Sequence, residues 1–193
     1  MNDFSKDGPA VPQVSAKCLR AIRRTGVSPS KNLLVVSITR QRIRLFHRQA
    51  SNEGSTHYRF LSQFLTSTAR RGFGQVKNSR QTPLGLHRIA QKVGGGYPIG
   101  TVFKSRKPVG LTWDGDPDGG IVHRILWLEG LEPGLNLGGA VDTFERYIYI
   151  HGFGDESTLG QPQSEGCIHL AAKDLLPLYD RTPVGTLVWI DKE

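Results

Sequence analysis

The chain predicts a mainly β fold, a sandwich or open barrel of short strands with one short helix after Cys167. Three observations carry that expectation. Runs rich in Val, Ile, Leu, Phe and Tyr recur at strand length along the body of the chain. Gly- and Pro-containing segments separate them, drawn from 23 glycines and 11 prolines. Leu175, Leu178 and Tyr179 then have the i, i+3, i+4 spacing of one helical face. At 193 residues, 37% apolar and 22% charged, the sequence is long enough to bury one substantial core without cross-links.

Residues 1–30 read as a partly ordered N-terminal appendage. Pro9, Pro12 and Pro29 lie at its ends, a short basic helix fits Ser15 to Arg24, and the apolar residues are too few for a second core. The body spans residues 31–193. Leu33–Ile38 and Ile43–Phe46 form two strands around a turn at Arg40-Gln41, and a third falls within Tyr58–Ser67 after the polar loop Ser51–Thr56. The Gly72/Gly74 and Gly94-Gly95-Gly96 segments lack the spacing of a phosphate loop and read as turns. Asp114-Gly115-Asp116-Pro117-Asp118-Gly119 imitates the opening of a calcium loop, but Ile125 stands where the bidentate Glu belongs, so an acidic surface turn is expected. Ile121–Leu128 and Arg146–Ile150 are strands on either side of the Gly-rich stretch Gly130–Gly139. In the late helix Pro177 is tolerated if the helix starts close by, with Asp174 as its cap. Thr186–Ile190 makes the last strand.

Charge divides along the chain. Residues 1–110 carry 20 Lys+Arg against 3 Asp+Glu, and residues 111–193 carry 5 against 14, within a total of +8. A polyanion-binding surface is one reading. However, Arg40, Arg42 and Arg44 alternate with other residues as the solvent face of a half-buried strand does, so no nucleic-acid partner is expected. Met1-Asn2-Asp3-Phe4-Ser5-Lys6 opens no apolar run of signal-peptide length, and no apolar stretch of about twenty residues offers a transmembrane segment. On these grounds the expected location is cytoplasmic. The sequence does not give the oligomeric state.

The chemistry gathers at two segments. Tyr147-Ile148-Tyr149-Ile150-His151-Gly152 ends a strand on a histidine, and Ser164-Glu165-Gly166-Cys167-Ile168-His169-Leu170 places a cysteine 16 residues later. A thiol attacks as its thiolate, so it needs a neighbour such as imidazole to take its proton. Two adjacent strands joined by a loop would bring His151 and Cys167 together. Backbone N–H groups at Gly166 and Cys167 are the candidate donors for an oxyanion, Gly166 permitting the tight approach. Cys167 and His169 fall on one side of a strand, but no further ligands at suitable spacing accompany them, so no metal is expected. Cys18 has no such context.

These residues resemble the L,D-transpeptidase (YkuD-type) catalytic domain, whose signature is His-Gly, a loop, then Ser-His-Gly-Cys-Ile-Arg-Leu. Thr82-Pro83-Leu84-Gly85 resembles the family's Thr-Pro-x-Gly turn, and Pro183-Val184-Gly185-Thr186-Leu187-Val188 its approach to the closing strand. The resemblance covers residues 31–193 and implies a YkuD-type β-sandwich or open barrel. This chain departs from the pattern in having Glu165 for His, His169 for Arg and Ala172 for a common Asn.

The resemblance implies a cysteine acyl-transfer enzyme of peptidoglycan metabolism that needs no cofactor. Cys167 would attack the L,D bond of a stem tetrapeptide and release D-Ala, with His151 as base and the carbonyl of Gly152 orienting its ring. Ser164 belongs to the orienting set, and His169, Glu165 and Tyr149 are the candidate substrate contacts. The partners are then peptidoglycan stem peptides or soluble muropeptides. Water would resolve the thioester, making an L,D-carboxypeptidase of murein recycling. The alternatives are a transpeptidase with an amine acceptor, giving 3→3 cross-links or D-amino acid exchange, and a non-catalytic wall-fragment or polyanion-binding domain.

Overall fold

The computed structural model describes residues 11–50, 56–114 and 120–193. The polar loop 51–55 and the acidic segment 115–119, with its calcium-like pattern, lie outside the described residues.

Alternation along the early strands sets the architecture. In β1 (Asn32–Ser37), Leu34 and Val36 face one way and Leu33 and Val35 the other. β2 (Arg42–Gln49) buries Ile43 and Leu45 and leaves Arg42 and Arg44 half-exposed, as its sequence predicts. β3 (His57–Ser67), β4 (Gly85–Val93), β5 (Thr101–Lys104), β6 (Lys107–Leu111), β7 (Val122–Gly130), β8 (Tyr149–Gly152), β9 (Ile168–Leu170) and β10 (Leu187–Asp191) follow. Eight strands run in the order β4-β10-β1-β2-β3-β9-β8-β7, and β7 pairs back onto β4, so the sheet closes on itself. The hairpin β5–β6 hangs off β7 through the pair Val102↔Val122.

Closure leaves two unlike faces. One collects Leu34, Val36, Leu126, Leu128, Ile150, Ile168, Leu170 and Ile190 with helix α2 (Ala172–Arg181), whose Leu175, Leu178 and Tyr179 are buried, as the helical spacing predicts. On the other, Leu33, Phe46, Leu86, Leu187 and Trp189 meet helix α1 (Ala16–Thr25). Ser15 caps α1 by accepting from the Cys18 N–H, Gly26 ends it at φ 67°, and Cys18, Ala21 and Ile22 are buried. The basic helix is therefore docked on the sheet, with Arg24 paired to the buried carboxylate of Glu132.

Several boundaries differ from the sequence reading. The strand expected over Arg146–Ile150 begins at Tyr149, because Tyr147 has a φ of 55° and closes a turn onto the Phe144 carbonyl. Asp174 is not the cap of α2. The helix starts at Ala172 after Ala171, and the Glu156 carboxylate accepts the Ala172 N–H at 2.6 Å, a negative group at the helix N-terminus. Pro177 therefore lies inside the helix, where it removes one intrahelical bond. Strands β4, β5 and β6 had no counterpart in the sequence reading.

Candidate active site

The expected meeting of the two segments comes from a parallel pairing of β8 and β9, with Ile150↔Ile168, His151↔His169 and Gly152↔Leu170. Because side chains alternate, Ile150 and Ile168 enter the core while Tyr149, His151, Cys167 and His169 share the opposite face. That face is covered by Phe103 of the β5–β6 hairpin and by Trp127, which stacks on Phe144 at 4.0 Å.

His151 is 2% exposed, and its Nδ1 lies 2.7 Å from the carbonyl oxygen of Gly152. A carbonyl only accepts, so Nδ1 carries the proton and the lone pair is left on Nε2, able to accept another. Gly152 is required here: a Cβ would lie 2.7 Å from the Val122 carbonyl and 2.5 Å from the His123 ring. His169 differs. It is 6% exposed, its ring stacks on Phe153 at 4.5 Å and meets His151 edge-on at 4.7 Å, but its buried Nδ1 has no partner among the described residues. No bond to Nδ1 from the described residues fixes its tautomer as Gly152 fixes that of His151.

Cys167 is half-buried. Its thiol points to the Tyr147 carbonyl at 3.5 Å and receives the Tyr149 N–H at 3.4 Å, without a direct hydrogen bond to His151. Burial pushes the thiol up to about 11, against smaller lowering effects from the Tyr149 N–H and the Arg146 guanidinium. Burial also pushes His151 down to about 4, opposed by its bond to Gly152. For His169, burial and then His151 push the value down to about 3. At neutral pH the resting site therefore holds a thiol and neutral imidazoles, so proton transfer must accompany attack.

The turn before the cysteine is held by its own residues. Ser164 Oγ accepts the Gly166 N–H at 3.2 Å and donates to the Cys167 carbonyl at 2.5 Å. Of the two N–H groups expected to face an oxyanion, that of Gly166 is hydrogen-bonded to Ser164, while that of Cys167 has no partner among the described residues. Gly166 has a φ of 128°, which disfavours any side chain, and Thr82 Oγ1 donates to its carbonyl while accepting the Ala69 N–H. Thr82 of the Thr-Pro-x-Gly turn is thus a brace beneath the cysteine turn. Glu165 points outward, exposed, in an ion pair with Arg80 at 2.9 Å. Tyr149 is buried beside the thiol and receives a hydrogen bond from Arg106 at 3.1 Å.

Two arginines escaped the sequence reading. Arg146 donates to the carbonyls of Gly74, Gln75 and Gln81 and lies near enough to Cys167 to favour its thiolate. Arg106 reaches the site from the hairpin. Arg146, just ahead of the aromatic strand, was visible as a charge in an apolar context, but its partners are 65 to 72 residues away. A groove of about 250 Å³ opens beside the cysteine turn, lined by Lys77, Asn78, Arg80, Arg146, Tyr147 and Glu165 among others. Among the described residues no cluster of three or more His, Cys, Asp or Glu is placed to hold a metal, and no helix is long and apolar enough to cross a membrane.

A closed sheet carrying a cysteine and an oriented histidine on one face of neighbouring strands defines a candidate cysteine acyl-transfer domain. The family model of the YkuD L,D-transpeptidase catalytic domain matches residues 31–190, and the chain belongs to that family. Among solved structures it is similar to an L,D-transpeptidase from Mycobacterium smegmatis, at 20% identity and TM-score 0.47 over 83% of this chain and 58% of that one. It is similar to Bd1075 of Bdellovibrio bacteriovorus at 13% identity and TM-score 0.53 over 85% and 49%, which supports the fold. An L,D-transpeptidase from Mycobacterium tuberculosis follows at 15% identity and TM-score 0.48 over 83% and 57%. The chain spans about half to three fifths of the length of these solved chains. No curated protein matches it.

Proposed function

We propose that Cys167 is the nucleophile of an acyl-transfer enzyme acting on peptidoglycan stem tetrapeptides, with His151 as its base. The observation that carries this is the locked tautomer of His151, whose Nε2 lone pair is presented on the face that bears the thiol. Nε2 takes the thiol proton as sulfur attacks the carbonyl of the third residue, and the Cys167 N–H is the donor available to the oxyanion. Collapse breaks the L,D peptide bond, the proton passes to the departing amine, and D-Ala leaves a thioester on Cys167.

In this reading water resolves the thioester, making the enzyme an L,D-carboxypeptidase of soluble muropeptides in the cytoplasm. Its support is electrostatic. Arg146 places a guanidinium charge near the cysteine and Arg106 another on the hydroxyl of the adjoining Tyr149, which disfavours an acceptor amine arriving as an ammonium and leaves water unaffected. Membership of the L,D-transpeptidase family favours a second reading, transfer to an amine with 3→3 cross-linking or D-amino acid exchange.

Mass spectrometry of the products from purified tetrapeptide, with and without a D-amino acid acceptor, tests both. Tripeptide plus free D-Ala in the presence of acceptor supports hydrolysis, whereas a dominant exchanged or dimeric product assigns transpeptidation. A C-terminal reporter active only in the periplasm tests the compartment, and a signal from it would remove the cytoplasmic part of the proposal.

A further inference from the structure

The β5–β6 hairpin turns through Ser105 and Arg106, both left-handed, at φ 47° and 66°. Hairpin turns of that form favour Asn-Gly, since a Cβ is strained there, so turn chemistry does not explain an arginine. The side chain does explain it. The Arg106 guanidinium lies 4.6 Å from the Trp127 ring and 5.2 Å from that of Tyr147, and it donates to the Tyr149 hydroxyl at 3.1 Å. The backbones of Tyr147 and Tyr149 are the two partners of the Cys167 thiol. A strained turn thus delivers a rigid cation to the residues that flank the nucleophile.

Among the described residues Arg106 uses one of its five N–H donors, and no carboxylate pairs with it. Its stacking partners hold the planar fork in place, so little order is lost when it binds a carboxylate. Meanwhile His169 occupies the strand position where the resembling family has Arg, and this His is buried and neutral. Positive charge therefore reaches this side of the site from Arg146, whose fork is spent on the carbonyls of Gly74, Gln75 and Gln81, and from Arg106 of the hairpin, whose fork is not.

We propose that Arg106 forms a carboxylate-binding subsite that reads the free C-terminal carboxylate of the donor peptide. This rests on the acyl-transfer reading given above and adds its specificity. One residue lies between the scissile carbonyl and a terminal D-Ala carboxylate, a span of about 4 Å on the scale of one Cα step. A fork above the residues flanking the thiol is placed to hold that carboxylate and so to favour peptides that end one residue past the scissile bond. Longer or amidated peptides lose the charge-assisted pair.

The test compares a tetrapeptide ending in free D-Ala with the same peptide ending in D-Ala amide, on the unaltered protein, Arg106→Gln and Arg106→Lys. The rate of Cys167 alkylation in each variant reports whether the site is intact. The unaltered protein should prefer the acid by about 10- to 100-fold in kcat/KM, the range expected for one charge-assisted pair. Arg106→Gln should bring the acid down to the value of the amide, chiefly through KM, and Arg106→Lys should restore part of the preference. Equal losses on both peptides in Arg106→Gln would reduce the arginine to a fastener of the hairpin and overturn the proposal. Cleavage of both peptides at equal rates by the unaltered protein would do the same while leaving the acyl-transfer reading standing. Failure of the unaltered protein to cleave either peptide would remove that reading and this one together.

Discussion

At Cys167 burial keeps the thiol protonated, so the proposed attack needs a base to take its proton at that moment, the role proposed for His151, rather than a standing thiolate. Alkylation by iodoacetamide should accordingly rise with pH toward the thiol's own titration near about 11, without a plateau in the neutral range. His151→Gln should slow alkylation near neutral pH by about tenfold or more, whereas His169→Gln should act mainly on substrate affinity. A neutral-range plateau would mean a resting thiolate–imidazolium pair, and exchanged behaviour of the two variants would make His169 the base. Cys167→Ala should abolish turnover with the fold intact, and intact-mass measurement should place a carbapenem adduct on Cys167 alone. Cys18 is fully buried against the sheet, and burial, with the charges of Asp191 and Glu132, pushes its thiol up to about 12. Cys18→Ala should therefore keep activity and cost roughly 1 kcal/mol of stability, the scale of losing one small buried group. An adduct on the Cys167→Ala protein would sink the assignment.

Among the elements, legibility followed local pattern. β1, β2, β3, β7 and β10 were readable because apolar residues alternate or run together along them. β4 was not, since His87 occupies a fully buried position, where Gly85 and Thr143 satisfy its two nitrogens. β5 and β6 are short, and β6 is mostly exposed and carries Pro108 and Gly110. In the site, His151 and Cys167 stood out because each adjoins a glycine at a strand end, whereas the roles of Arg106, Arg146 and Thr82 exist only through residues distant in sequence. Thr82 shows the consequence for an element. Thr82→Val keeps the shape but removes the hydroxyl that joins the Ala69 N–H to the Gly166 carbonyl, both buried. The expected loss is about 1–3 kcal/mol in urea unfolding, with altered alkylation of Cys167 as the cysteine turn loosens. A stability loss with alkylation unaltered would show that Thr82 braces the sheet and not the turn.

Across the whole molecule the buried titratable groups set a window of stability. His87 and His151 are held down to about 4 and His169 to about 3, in each case chiefly by burial. Each folded value lies below the ordinary 6.5, so the unfolded chain binds more protons between the two values and stability falls as pH drops through that interval. The thiols act in the opposite sense. Cys167 at about 11 and Cys18 at about 12 lie above the ordinary 9.0, so their contribution is complete below 9.0 and is lost as pH rises toward the folded values. Stability should form a plateau between about 6.5 and 9, with losses on the order of a few kcal/mol on each side. Urea midpoints measured from pH 4 to 10 would show it. His87→Gln tests the acid limb, because it removes one titrating group whose two nitrogens are bonded to Gly85 and Thr143 rather than to the cysteine turn. The acid slope of this variant should be shallower than that of the unaltered protein by close to one proton. An unaltered slope would mean that His87 is protonated in the folded state as readily as in the unfolded one, and the acid limb would then belong to the two histidines of the site.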